Sequence, residues 1–153
     1  MNGSIALGCD EAAFQLKEKI RAHLESKGLK VDDFGVYSTD PSLYPDIAEK
    51  VARSVADGKN AQGILMCGTG IGVTITANKV PGVRAAVCHD VYSAQRARKS
   101  NDCQIMALGA RVVGEELAKT LVDAWLESSF EGGKSAAKVE RIKEIEGHYF
   151  KEK

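Results

Sequence analysis

No stretch of this 153-residue sequence comes near the roughly 20 consecutive apolar residues that a membrane span needs. Nor does Met1-Asn2-Gly3-Ser4 open a charged segment followed by a long apolar one, so no secretory leader is expected. An excess of one charge is lacking too: 21 lysines and arginines stand against 21 aspartates and glutamates. That balance argues against a broad nucleic-acid or anionic-membrane surface and leaves room for a local basic patch. The four cysteines, Cys9, Cys67, Cys88 and Cys103, form no CxxC pair, which removes zinc-ribbon and thioredoxin-type readings. Without a leader they are expected as reduced thiols in a cytoplasmic protein. Internal repeats, low-complexity tracts and linkers are missing as well. Residues 1–153 are expected to form a single domain, and the 44% apolar content suffices for a core.

The common phosphate loops are also absent. A dinucleotide fingerprint needs G-x-G-x-x-G, but the glycines after the third apolar run fall at Gly68, Gly70 and Gly72. A Walker loop needs Gly-Lys-Ser/Thr after an upstream glycine, which Gly133-Lys134-Ser135 lacks. A cysteine phosphatase would close its loop with an arginine, where Val73 and Thr74 stand.

What does occupy this place is Gly63-Ile64-Leu65-Met66-Cys67-Gly68-Thr69-Gly70-Ile71-Gly72-Val73. The apolar run reads as a buried parallel strand. The glycines read as a tight turn, with a helix opening near Val73. Backbone N–H groups gathered around such a turn suit an anion, and a cysteine among them is a candidate reactive group. The plainer alternative is a bare strand-to-helix turn.

Around this stretch, short apolar runs alternate with helical patterns five times. Strands are expected at Ser4–Cys9, Leu29–Phe34, Gly63–Met66, Val83–Cys88 and Cys103–Leu108. Helical spacing follows at Phe14–Lys27, Ile47–Val55, Tyr92–Lys99, Leu117–Leu126 and about 135–149, with Tyr37–Asp46 a polar loop. The alternation specifies an α/β fold with a five-stranded parallel sheet and right-handed crossovers. Ligands bind such sheets at the carboxyl ends of the strands. Asp10, Cys67, His89 and Arg111 all lie just past predicted strand ends. Asp10 reads equally as a helix N-cap. The ordinary reading of His89 is a surface or satisfied histidine. Tyr44 is either a site wall or part of a loop closure. Lys134, Lys138 and Arg141 share one helix face, as a solvated basic surface or a phosphate clamp.

Four segments together resemble the type B ribose-5-phosphate isomerase family, which includes the galactose-6-phosphate isomerase subunits. They are the Cys67–Gly72 loop, Ala77-Asn78-Lys79-Val80-Pro81-Gly82-Val83-Arg84-Ala85, Tyr44-Pro45-Asp46 and Ser100-Asn101-Asp102. The resemblance covers nearly the whole chain. It implies a three-layer Rossmann-like sandwich, no metal or organic cofactor, and a homodimer, often paired into tetramers, whose active sites are built from both subunits. The C-terminal helix is expected to pack on the partner. The implied activity is aldose–ketose isomerisation of a small sugar phosphate through a cis-enediolate, first of all ribose 5-phosphate and ribulose 5-phosphate. Cys67 would carry the proton between C1 and C2. Thr69 and the N–H groups of Gly68, Gly70 and Gly72 would hold the oxyanion, and Asp10 would assist ring opening. Asn101 would hold substrate oxygens from the partner, and Arg111, Lys134 and Lys138 would bind phosphate.

Glu11 and Ser100 stand where that family usually has histidines, and Lys134 and Lys138 replace arginines, losing the bidentate fork. Proton transfer is retained while ring opening is weakened. This suggests a tetrose phosphate substrate, erythrulose 4-phosphate and erythrose 4-phosphate, which closes no phosphorylated furanose ring. The Cys88-His89-Asp90-Val91-Tyr92-Ser93-Ala94 stretch resembles that branch. Alternatively, His89 replaces the missing histidine. A reading of another class is a non-catalytic sugar-phosphate-binding subunit.

Overall fold

The computed structural model describes residues 3–150; Met1 and Asn2, part of the leader reading, lie outside the described residues, as do 151–153. Five strands and six helices alternate: β1 (Ile5–Cys9), α1 (Phe14–Ser26), β2 (Val31–Asp33), α2 (Tyr44–Ala56), β3 (Gln62–Cys67), α3 (Ile71–Ala77), β4 (Ala85–Val87), α4 (Val91–Lys99), β5 (Ile105–Gly109), α5 (Glu115–Leu126) and α6 (Lys134–Tyr149). A short 3-10 turn, Glu11–Ala13, precedes α1. The strands form one parallel sheet in the order β2-β1-β3-β5-β4.

The two-residue period of a strand sorts each apolar run between two cores. Ile5, Leu7, Ile64, Met66, Met106 and Leu108 face α1, α4 and α5. Ala6, Leu65, Cys67, Ile105 and Ala107 face α2 and α3. The result is the expected three-layer α/β sandwich. The central strands have no wet face, which is why they read as continuous apolar runs.

The edge strands are shorter than expected. β2 and β4 each pair over three residues, because each has one neighbouring strand. The expected loop through Asp46 ends sooner: Tyr44, Pro45 and Asp46 form the first turn of α2. Pro45 fits there because a first-turn residue needs no intrahelical N–H partner.

Strand order positions the site. The chain leaves β1 toward β2 on one side, and β3 then lies on the other side of β1. α1 packs on one face and α3 on the other, so the connections after β1 and β3 diverge. A crevice opens between their carboxyl ends.

The β2 exit is held by Lys17, which is fully buried on α1. Its Nζ donates to Asp33 Oδ1 and Oδ2 at 2.9 and 2.8 Å, and to the Val36 carbonyl at 2.6 Å. It also lies over the rings of Phe14 and Tyr37, at 5.5 and 5.0 Å. Asp33→Ala removes two acceptors of the buried ammonium, leaving the Val36 carbonyl and Glu18 Oε1 at 3.3 Å, and is expected to cost on the order of 3 kcal/mol. Lys17→Met removes the charge itself and is expected to cost less; urea unfolding of both variants checks the order.

Candidate active site

Four strand ends meet at the carboxyl edge. β1 delivers Asp10, β3 delivers Cys67 and Gly68, β5 leads into Arg111, and β4 is followed by His89. Backbone bonds continue past the strands. Asp10 N–H donates to the Met66 carbonyl at 3.2 Å, Ala110 N–H to that of Cys67 at 2.9 Å, and Arg111 N–H to that of Gly68 at 3.0 Å. The turn after β3 is thereby clamped between its neighbours.

Cys67 is 5% exposed, on the α2–α3 face of the sheet. Its Sγ accepts the Gly70 N–H at 3.1 Å. Gly70 has φ +78°, the left-handed region that glycine enters without a Cβ penalty. That conformation turns its N–H inward to the sulfur. Thr69 is exposed, and its Oγ1 accepts the Ile71 N–H at 3.2 Å, leaving the hydroxyl proton to donate outward. Tyr44, on the first turn of α2, lies against Gly72: a Cβ there would collide with the Tyr44 ring, 2.6 Å from its Oη. Glycine at 72 is what lets the ring lie against this turn.

Asp10 is the N-cap that its sequence position suggested. Its Oδ1 caps the 3-10 turn by accepting the Ala13 N–H at 3.2 Å, and the side chain stands at the end of β1. Burial pushes its carboxyl above the ordinary range; the Ala13 N–H and the charge of Arg111 partly offset this. The guanidinium of Arg111 passes beside Gly68, with Nη1 3.2 Å from where a Cβ would stand. Glu11 turns toward the α2 side. Its Oε2 accepts from Ser42 Oγ at 2.7 Å and Ser42 N–H at 3.2 Å, and these bonds hold its carboxyl below the usual range. Nothing local in the sequence signals this pairing, since 31 residues separate the partners. His89 Nε2 accepts the Gly109 N–H at 2.9 Å, so its other nitrogen carries the proton.

Four candidate residues lie elsewhere. α4 runs back from the carboxyl edge, so Ser100 and Asn101 fall at the opposite edge of the sheet. There Cys103 N–H bonds the Ala97 carbonyl. Ser100 Oγ accepts from Arg96 Nε at 2.7 Å. The segment leading into α6 is tied to the same edge by Glu131 N–H on the Lys99 carbonyl at 3.1 Å, and Gly82 N–H donates to Glu146 farther along α6 at 3.0 Å. Lys134 and Lys138, which are exposed, lie between these anchors. The six residues of β3 put on the order of 20 Å between the two edges. One copy of the chain thus assembles Asp10, Tyr44, Cys67 to Gly72, His89 and Arg111 without Ser100, Asn101, Lys134 or Lys138. A cavity of about 520 Å³ also lies away from Cys67, over β4, lined by Asn78, Arg84, Ser93, Arg96, Asn101 and Ile142. At the carboxyl edge the Asp10 carboxyl, the Cys67 thiol and the Arg111 guanidinium follow the neighbouring strands β1, β3 and β5. Among the described residues, no three His, Cys, Asp or Glu side chains gather as metal ligands.

The sequence model of the Ribose/Galactose Isomerase family matches residues 5–142. The chain belongs to this family. The D-erythrulose-4-phosphate isomerase of Pectobacterium atrosepticum is 59% identical over 143 residues, covering 91% of this chain and 92% of that protein. The Ribose-5-P isomerase B of Listeria innocua is 53% identical over 142 residues, covering 93% and 96%. The solved Ribose-5-Phosphate Isomerase B of Clostridium thermocellum superposes with a TM-score of 0.94 at 46% identity, over 95% of this chain and 99% of that one.

Three cysteines of this family member lie in the core formed with α1, α4 and α5. Burial pushes the Cys9 and Cys88 thiols up to about 12 and that of Cys103 to about 11, from an ordinary 9.0. Those three are expected to stay unmodified by iodoacetamide in the folded protein and to react once urea unfolds it. Their protons are held more tightly folded than unfolded. Stability is therefore expected to fall as pH rises from about 9 toward 11–12, measurable by urea unfolding across that range.

Proposed function

We propose that this protein is an aldose–ketose isomerase acting on D-erythrulose 4-phosphate and D-erythrose 4-phosphate, working in the cytoplasm as a homodimer. The carrying observation is the Cys67 sulfur, held under its turn by the Gly70 N–H beside an outward hydroxyl, a raised carboxyl and a guanidinium. In the ketose-to-aldose direction the Cys67 thiolate takes a proton from C1. The enediolate oxygens meet the Thr69 hydroxyl, and the proton returns to C2 as the hydroxyl proton passes from O1 to O2. Arg111 holds the phosphate together with Lys134 and Lys138 of a second copy, which also contributes Asn101. Ile142 and Ile145, each nearly half exposed on α6, support a helix that packs on that partner.

The four-carbon substrate is favoured by what the histidines do. The lone pair of His89 Nε2 is taken by Gly109, and His23 is bound to Asp123 at 2.7 Å. His148 sits in the last turn of α6. Glu11 and Ser100 already have partners in their own chain. Opening a furanose ring calls for a free base, and a tetrulose phosphate has no such ring to open. The Listeria innocua relative supports a five-carbon reading as the second choice.

Cys67→Ala is expected to lower kcat by about 10²–10⁴-fold with folding retained. Unchanged turnover would remove the proton-carrier role, and absence of isomerisation in the wild type would leave a sugar-phosphate-binding subunit. A panel of four-, five- and six-carbon aldose and ketose phosphates is expected to give the highest kcat/KM with erythrulose 4-phosphate. An equal or higher value for ribose 5-phosphate would reverse the choice of substrate.

A further inference from the structure

We propose that Glu11 is a positioning residue: through Ser42 it fixes the 37–43 loop and so seats the Tyr44 ring against the Cys67 turn. The inference builds on the site assigned above, but its test does not depend on which sugar is turned over.

The loop between β2 and α2 is anchored at both ends and little in between. Its root is held by Lys17 on the Val36 carbonyl, by Tyr37 Oη donating to the Asp33 carbonyl at 2.8 Å, and by Gly35 N–H on Asp33 Oδ1 at 2.8 Å. Residues 38–41 are exposed, and Asp40 N–H bonds only as far as Ser38 Oγ, at 3.2 Å. At the far end, both Ser42 donors converge on one oxygen of Glu11. Leu43, the N-cap of α2, makes no side-chain cap bond; the Ser42 bonds instead tie the residue just before it to the end of β1. Two residues after Ser42 comes Tyr44, whose ring lies against Gly72.

The path runs from the end of β1 through Glu11, Ser42 and Tyr44 to the turn that covers Cys67. The bond is charge-assisted, which makes it stronger and shorter than a neutral one. Its acceptor adjoins Asp10, so the latch is rooted in the same strand end as the site. Glutamine at 11 presents the same carbonyl oxygen to Ser42; alanine presents nothing.

The test is the rate of Cys67 alkylation by iodoacetamide, followed by mass spectrometry on the folded protein, with kcat and KM measured in parallel. Glu11→Ala is expected to speed alkylation about tenfold and to raise KM more than it lowers kcat, and Glu11→Gln to stay within about threefold of wild type. Tyr44→Ala is expected to speed alkylation by itself and to abolish the further effect of Glu11→Ala. Three results would each overturn the proposal: an unchanged rate in Glu11→Ala, a Glu11→Gln variant as fast as Glu11→Ala, or full additivity of Glu11→Ala and Tyr44→Ala. A failure of the isomerase reading would show separately, as a wild-type protein inert toward every sugar phosphate whose Cys67 still responds to Glu11→Ala.

Discussion

The constraint on which the molecule depends is that β3 must be dry on both faces. All six of its residues are buried, so helices must cover both sides of the sheet. Parallel strands need crossovers, and crossovers of one hand can cover both faces only if the connections turn in opposite directions somewhere. They do so between β1 and β3. That divergence is the topological switch point of the sheet, the place where such sheets open a crevice. The crevice is a by-product of covering the sheet, and Asp10 and Cys67 stand at its two lips.

The same alternation separates four cysteines into two chemical kinds. Cys9, Cys88 and Cys103 lie in the core formed with α1, α4 and α5, where desolvation holds them neutral. Cys67 falls in the other core, on the face covered by α2 and α3, where the Gly70 N–H meets its sulfur. A shift of one residue in the register of β3 would exchange these environments, because side chains alternate between faces. Position along the strand and parity both matter to the chemistry.

The layered fold and the carboxyl edge were legible because they rest on local pattern: short apolar runs, helical spacing, and glycines where the chain turns. Cys67, Asp10 and Arg111 came to the same edge for that reason. Other features depend on distant partners and were not legible. A lysine at position 17 of a charged helix reads as solvent-facing, yet Asp33 and two aromatic rings bury it completely. Ser42 has no signature that links it to Glu11. Ser100 and Asn101 could be matched to a family motif, but only tracing α4 back along the sheet shows that they finish far from Cys67. Tyr44 looked like loop because Pro45 follows it, while helix first turns accept proline readily.

The separation of Cys67 from Asn101, Lys134 and Lys138 by the length of β3 has a geometric consequence. In an isologous pair, each copy would offer its carboxyl edge to the amino edge of the other. The two sheets would then run antiparallel across the twofold axis, and such a dimer would contain two composite centres, each with one half from either chain. Mixing a chain damaged at Cys67 with one damaged at Lys134 would give hybrids in which one centre inherits both lesions and the other none. The length of one buried strand would thus make the pair, and not the single polypeptide, the smallest unit that could carry a complete centre.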